Sequence, residues 1–189
     1  YLEYIIRSVV IRYIGMIYIM LVSGPLLLSG FQLINDSLNN IDTGIKEFFL
    51  SIPANFKRGL GAFLLTAFGF ALIIIDFIFF AYNSENFLMM IVGIFFLYLF
   101  VLFSMMQIYY WGLLTIQRDK GILKTVKNSF FLVLDNLWVT LLIFIFMIIM
   151  FIISLYMPFI IPAFMLVLIA LVFLITTRTI LKKYEERQE

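Results

Sequence analysis

Five apolar segments, each long enough to cross a lipid bilayer, occupy most of this chain of 189 residues. A helix that crosses the hydrocarbon core needs about 20 mostly apolar residues. The segments cover residues 13–34, 59–82, 87–116, 137–156 and 158–177. Inside lipid no water pairs with the backbone, so each segment must satisfy its own amides as a helix. The sequence therefore predicts an all-α fold: one transmembrane domain over residues 1–189, a polytopic membrane helix bundle with five transmembrane helices.

The composition excludes several classes of function. Hydrophobic residues make up 65% of the chain and charged residues 13%, whereas soluble proteins are about 25% charged. The absence of cysteine and histidine removes disulfides and the commonest general base and metal ligand. No G-x-S-x-G, H-E-x-x-H or Walker pattern occurs. We therefore expect no enzyme and no cofactor or metal. A net charge of +2 gives no support for a nucleic-acid partner. The chain begins at Tyr1 and not Met, so we expect residues before it.

Lysine and arginine residues predict the orientation of the helices. Eleven of the thirteen fall in the connections 35–58 and 117–136 and in the tail 178–189. Basic residues favour the cytoplasmic side of a membrane. With five crossings, the prediction is a multi-pass protein of the bacterial cytoplasmic membrane, with its C-terminus in the cytoplasm and its N-terminus outside. Arg7 and Arg12 are the two exceptions.

The first apolar segment contains Ser23-Gly24-Pro25 in its middle. One interpretation is a single span that is kinked there, since neighbouring helices can satisfy the carbonyl that proline frees. The rival is a re-entrant hairpin, whose two halves of about 12 and 9 residues are each shorter than a span. A signal peptide fits the local pattern but not the apolar run that continues to Ile34. The single kinked span is the prediction.

In two of the connections, the pattern of apolar and polar residues predicts an amphipathic helix at the cytoplasmic interface. In the first, the apolar face consists of Ile45, Phe48, Phe49 and Ile52. In the second, the apolar face consists of Ile122, Val126, Phe130 and Val133, opposite Lys120, Lys124 and Lys127. These lysines are candidates for a surface that binds anionic lipid or a partner. The favoured interpretation is nevertheless that both segments are solvated connectors packed under the bundle, since basic interfacial helices are common.

Polar residues inside the spans are candidates for a functional site. Asp76 ends a stripe of small residues on the second span, together with Ala62, Thr66, Gly69 and Ile73, which predicts that it faces protein. Arg12, at the outer end of the first span, is its candidate partner. Thr66, Ser104 and Gln107 are candidates for polar contacts between helices. Tyr109, Tyr110 and Trp111 predict an aromatic belt at the inner surface.

A weak internal repeat relates the two halves of the chain. "DTGI" at residues 42–45 and "DKGI" at residues 119–122 each introduce an amphipathic segment. An asparagine and a span follow in both cases, at Asn55 and at Asn136. Both units enter the membrane from the same side, which would give a parallel repeat about an axis along the membrane normal.

Several short motifs resemble those of the YesL-like family of bacterial integral membrane proteins. They are "SGPLLLSGFQLINDSL", "IKEFFLSIPANFKRGLGAFLL", "VKNSFFLVLDNLWVTLL" and the closing "LKKYEE". Ser23 stands where that family often has threonine before Gly-Pro. The resemblance implies a membrane fold and no catalytic residues that carry over. Because genes of the family often lie beside carbohydrate ABC importers, it also implies a role near sugar uptake.

Two functions fit these observations. The first is an accessory or scaffold protein that associates with a larger membrane complex, which the resemblance suggests is a carbohydrate importer. The second is a small transporter or channel with Asp76 on its pathway. The expected partners are the lipid bilayer and transporter subunits or further copies of the chain.

Overall fold

The computed structural model describes residues 2–83, 86–156 and 161–186 of the chain, and no strand occurs among them. The helices are α1 (Leu2–Leu38), α2 (Ile45–Tyr82), α3 (Phe87–Ile116), α4 (Ile122–Asp135), α5 (Leu137–Tyr156) and α6 (Ile161–Glu185). Four of them, namely α1 from Ile11 onward, α2, α3 and α5, are long and apolar enough to cross a membrane. The predicted all-α fold with several apolar helices is thereby confirmed.

The fifth predicted span begins outside the described residues. Residues 157–160 are not among the described residues, and α6 is not one of the four helices that are long and apolar enough to cross a membrane. A count of five transmembrane helices therefore stays a prediction. Within the described residues, α6 covers the remainder of the predicted segment and continues into the tail.

The first segment forms one helix of 37 residues that runs through Ser23, Gly24 and Pro25 without a break. This unbroken helix excludes the re-entrant hairpin. Pro25 has no N–H, so the backbone loses one hydrogen bond there. Ser23 Oγ donates to the carbonyl of Ile19 at 2.6 Å. The helix also extends beyond the predicted bounds of 13–34 at both ends.

The first predicted amphipathic helix is not a separate element. Residues 45–52 are the first turns of α2, which continues through Pro53 to Tyr82 as 38 residues of helix. The prediction of an interfacial helix separate from the span 59–82 was therefore wrong. Proline removes the amide that would bond to the carbonyl of Phe49, and Phe49 is 62% exposed, so that carbonyl is not enclosed in the core. Gly44 is the N-cap of α2, and its N–H donates to Glu47 Oε2 at 2.9 Å.

The helices α1 and α2 form a long antiparallel pair, and α3 returns antiparallel to α2. Gly24 and Pro25 lie opposite Gly59, and Ser29 lies near Asn55. The helix α6 runs parallel to α1. The rings of Phe31 and Phe173 are 6.2 Å apart, and one turn further along, Arg178 bonds to Asn35.

The C-terminal half of α3 forms the centre of the bundle, because α1, α2, α4, α5 and α6 all contact α3. Tyr109, Tyr110 and Trp111 are at most 7% exposed, so the prediction that they form an aromatic belt was wrong. Thr140 Oγ1 donates to the carbonyl of Asn136 at 2.8 Å, so it accepts from the Tyr109 hydroxyl, also at 2.8 Å. A buried tyrosine hydroxyl is thereby satisfied.

Candidate functional site at the basic end

Polar and charged side chains of several helices meet at one end of the bundle, which we call the basic end. There α1, α3 and α6 end, α2 and α5 begin, and α4 lies between them. Arg58, Arg118 and Arg178 all lie at this end. Each is in contact with another helix or connection, so the site is built from residues that are distant in sequence.

Arg58 of α2 binds the end of α3. Its Nη2 donates to the carbonyls of Gln117 at 2.8 Å and Lys120 at 3.1 Å, and its Nη1 donates to the carbonyl of Arg118. The last carbonyls of a helix have no partner within the helix, and a cation near them is favourable. Arg58 therefore fixes α2 to the connection between α3 and α4.

Arg178 of α6 binds α1 in a similar way. Its Nη2 donates to the backbone carbonyl of Asn35 at 2.9 Å and to the side-chain Oδ1 of the same residue at 2.7 Å. Asn35 is 8% exposed and lies in the last turn of α1. The two contacts hold α6 and α1 at a fixed register near the basic end.

Asn55 links α2 to α1. Its Nδ2 donates to Gln32 Oε1 at 2.7 Å and to Ser29 Oγ at 3.2 Å. Ser29 is fully buried. An amide that donates twice across a helix pair fixes the register of the pair as well as its distance. One turn toward the N-terminus of α1, the backbones of Gly24 and Gly59 approach closely, and this packing also fixes the register of the pair.

A polar cavity of about 270 Å³ lies among these contacts. Its polar lining consists of Gln32, Asn55, Arg58, Thr115 and Arg118. On one side, Arg118 forms an ion pair of 3.8 Å with Asp36 of α1. Arg58 Nε is buried and makes no hydrogen bond with the described residues. A polar cavity of this size is suited to hold water or a small polar molecule.

The predicted pair Asp76 and Arg12 is not brought together. Asp76 is half-buried on α2 and Arg12 is exposed on α1. Among the described residues, the ion pairs are Arg118–Asp36 and Lys182–Glu186. The antiparallel register of α1 and α2 explains the separation. Arg12 lies twelve residues before Gly24 on α1, so it is level with position 71, twelve residues after Gly59 on α2. Asp76 lies five residues further, which is about 7 Å along the axis.

The predicted polar packing residues lie between α2 and α3, with one exception. Thr66 Oγ1 donates to Gln107 Oε1 at 3.3 Å, which joins the two helices. Ser104 Oγ instead donates to the carbonyl of Phe100 in its own helix at 2.7 Å. The stripe that contains Thr66 does face α3, because a β-carbon at Gly69 would lie 2.6 Å from the ring of Phe103.

The predicted lysine surface belongs to α4 and the connection before it. Lys124 and Lys127 are exposed, whereas Lys120 is half-buried. The ammonium of Lys127 lies 6.0 Å from the ring centroid of Phe131. The outward face of α4 also carries Leu123, 75% exposed, and Leu134, 46% exposed. We call this surface, formed by Leu123, Lys124, Lys127, Phe131 and Leu134, the α4 face.

The buried side of α4 differs from the predicted apolar side. Thr125 and Ser129 are fully buried, together with Leu132 and Val133, whereas Phe130 is 37% exposed. The two hydroxyls are satisfied within the helix, since Thr125 donates to Gly121 and Ser129 to Thr125. Small side chains with satisfied hydroxyls let α4 approach its neighbours closely.

The sequence alone does not identify Asn35, Asn55, Arg58 or Arg178 as site residues. Their contacts join distant segments, up to 143 residues apart. The available signal was that each lies within four residues of the end of a predicted apolar segment. No protein-family model, curated protein or solved structure matches this chain. The resemblance to the YesL-like family therefore stays a prediction.

Proposed function

We propose that this chain is a membrane accessory or scaffold protein that associates with a larger membrane complex. The resemblance to the YesL-like family suggests a carbohydrate ABC importer as that complex. We place the basic end in the cytoplasm, because most basic residues lie there. In such a protein the contacts between helices are fixed, and an exposed surface binds the partner.

The observation that carries this proposal is the α4 face. The inner side of α4 is fixed by the buried Thr125, Ser129 and Val133. Its outer side presents large apolar residues next to Lys124 and Lys127. A rigid helix with alternating apolar and basic residues, at the edge of the membrane, suits an acidic surface of a neighbouring membrane protein.

The arginine contacts support the same proposal. Arg58 and Arg178 use their Nη atoms to bind helix ends, so these two cations stabilise the frame that holds α4. The proposed partner is thus recognised by the α4 face, while the cations beneath it maintain the structure.

Photo-crosslinking in cells tests the proposal. A photoreactive residue replaces Leu123 or Leu134 on the α4 face, and Leu72 of α2, which is 47% exposed, serves as the control. We expect one and the same membrane protein to be linked at both α4 positions and not at position 72. Combined Lys124→Glu and Lys127→Glu changes should abolish that product. Lipid adducts alone at all three positions would contradict the proposal.

The competing function is a small transporter with Asp76 on its pathway. It is favoured by one observation, a half-buried carboxyl within a candidate span that makes no hydrogen bond or ion pair with the side chains that the structure describes, which leave out residues 2–10 and 161–165. Asp76→Asn that leaves folding intact and abolishes a measured flux would support the transporter. Unchanged sugar-dependent growth of a strain with Asp76→Asn would support the scaffold.

A further inference from the structure

An apolar groove of about 610 Å³ lies between α1 and α6, and α2 and α3 contribute to its lining. Phe31, Trp111 and Phe173 form its floor, and the rings of Phe31 and Trp111 are 6.1 Å apart. Gly30 and Leu166 stand at its sides. Since α1 is a candidate span, the groove lies at membrane depth, where acyl chains surround the protein.

The length of the groove matches one leaflet of a bilayer. Its lining on α1 extends from Ser23 to Ile34, which is about 16 Å at 1.5 Å per residue. The hydrocarbon core is about 30 Å thick, so one leaflet contributes about 15 Å. The end at Ile34 is the one next to the basic end, which places the groove in the leaflet on that side.

Apolar side chains make up almost all of the lining of the groove. A molecule that lies in it is therefore apolar along that length. An unfilled apolar groove forfeits dispersion contacts along its whole lining. An extended hydrocarbon chain makes those contacts and needs no hydrogen-bond partner.

A cation lies just beyond the lining of the groove, on the side of the basic end. Arg178 lies five residues beyond Phe173 on α6, about 7 Å further toward the basic end. It uses Nη2 to bind Asn35. Its Nη1 and Nε make no hydrogen bond to the part of the chain that the structure describes, and the side chain is half-buried. A guanidinium presents several donors in a plane, a geometry that suits phosphate oxygens.

We propose that this groove is a binding site for one anionic phospholipid of the leaflet at the basic end. One acyl chain lies over Phe31, Trp111 and Phe173, and the phosphate accepts hydrogen bonds from the free edge of Arg178. The lipid thereby fills the space between α1 and α6. This inference requires only that the chain spans a membrane, and it does not depend on the proposed scaffold function.

Groove-filling substitutions test the acyl-chain site. A β-carbon at Gly30 meets no atom within 4 Å, and the same is true of Gly15 on the same helix. Gly30→Leu therefore puts a side chain into the groove without a backbone clash, and Gly15→Leu is the matched control. The full chain is purified in mild detergent from cells that contain phosphatidylglycerol, and bound phospholipid is counted by native mass spectrometry.

We expect about one phosphatidylglycerol per unaltered chain and per Gly15→Leu chain. For Gly30→Leu we expect affinity to fall about tenfold, which corresponds to about 1.4 kcal/mol. Arg178→Gln should lose the preference for phosphatidylglycerol over phosphatidylcholine, measured as the ratio of the two lipids on the chains that retain a phospholipid. Absence of retained phospholipid, or equal retention by the two glycine variants, would overturn the proposal. An unchanged preference in Arg178→Gln would overturn the assignment of the headgroup.

A fluorescence measurement keeps the test decisive if Gly30→Leu does not fold. The chain has two tryptophans, and Trp138, on α5, is 79% exposed. Trp138→Phe leaves Trp111, on the groove floor, as the reporter. In vesicles, phosphatidylglycerol with brominated acyl chains should quench Trp111 more strongly than brominated phosphatidylcholine at the same fraction. Equal quenching by both lipids would contradict a site for an anionic lipid.

Discussion

Gly59 on α2 lies in backbone contact with Pro25 on α1. A β-carbon at position 59 would lie 2.8 Å from both the Cα and the nitrogen of Pro25, a separation that no side chain tolerates. Glycine at this position lets the two backbones approach closely, so α1 packs against α2 at its proline.

Replacement of Gly59 by alanine should therefore destabilise the bundle. We expect the free energy of unfolding in detergent to fall by about 2 kcal/mol, as is typical of overpacking. The control is Gly15→Ala, since that position has open space around it. Alanine at position 15 should leave the stability unchanged or raise it by up to about 1 kcal/mol. Equal effects of the two changes would show that α1 and α2 do not meet at Gly59.

Arg58 should be the most important single polar residue of the basic end. Arg58→Ala removes the donors to Gln117, Arg118 and Lys120, and we expect a loss of about 3 kcal/mol of stability, as for charge-assisted hydrogen bonds. Arg58→Lys should restore part of it, since it keeps the charge and loses the planar fork.

Trypsin provides a local readout of the same contact. Cleavage after Arg118 and Lys120 should become faster in Arg58→Ala, because the connection between α3 and α4 loses its attachment. The neighbouring Lys57 is exposed, and Lys57→Ala should change stability by less than about 0.5 kcal/mol. Similar cleavage rates in the two variants would argue against a structural role of Arg58.

The apolar pattern was sufficient to predict the helices but not how they meet. Length and hydropathy predict α3, α5 and the part of α2 from residue 59 onward, because a membrane span has a fixed minimal length. The stripe with Thr66 and Gly69 also faces α3, since small residues permit close packing. These features depend on the local sequence alone.

The polar contacts could not be predicted because they join distant parts of the chain. Arg58 bonds to residues about 60 positions away and Arg178 to one 143 positions away. On α4, the hydroxyls of Thr125 and Ser129 find partners within the helix, so these residues are buried although their side chains are polar. The predicted apolar face, chosen by hydropathy, left these two residues out and was therefore misplaced.

Asp76 and Arg12 should act independently. Because the register of α1 and α2 separates them by about 7 Å along the axis, the effects of Asp76→Asn and Arg12→Gln on unfolding in detergent should add within about 0.5 kcal/mol. A double variant that costs clearly less than the sum would show that the two side chains form an ion pair.

The central claim is that α2 and α3 cross the membrane with the basic end in the cytoplasm. Single-cysteine labelling tests it directly, since the chain has no native cysteine. In intact cells, an impermeant thiol reagent should label a cysteine at Asn83, beyond the end of α2. It should label one at Lys124, on the exposed side of α4, only after the membrane is permeabilised. Labelling at Lys124 and protection at Asn83 in intact cells would contradict the account.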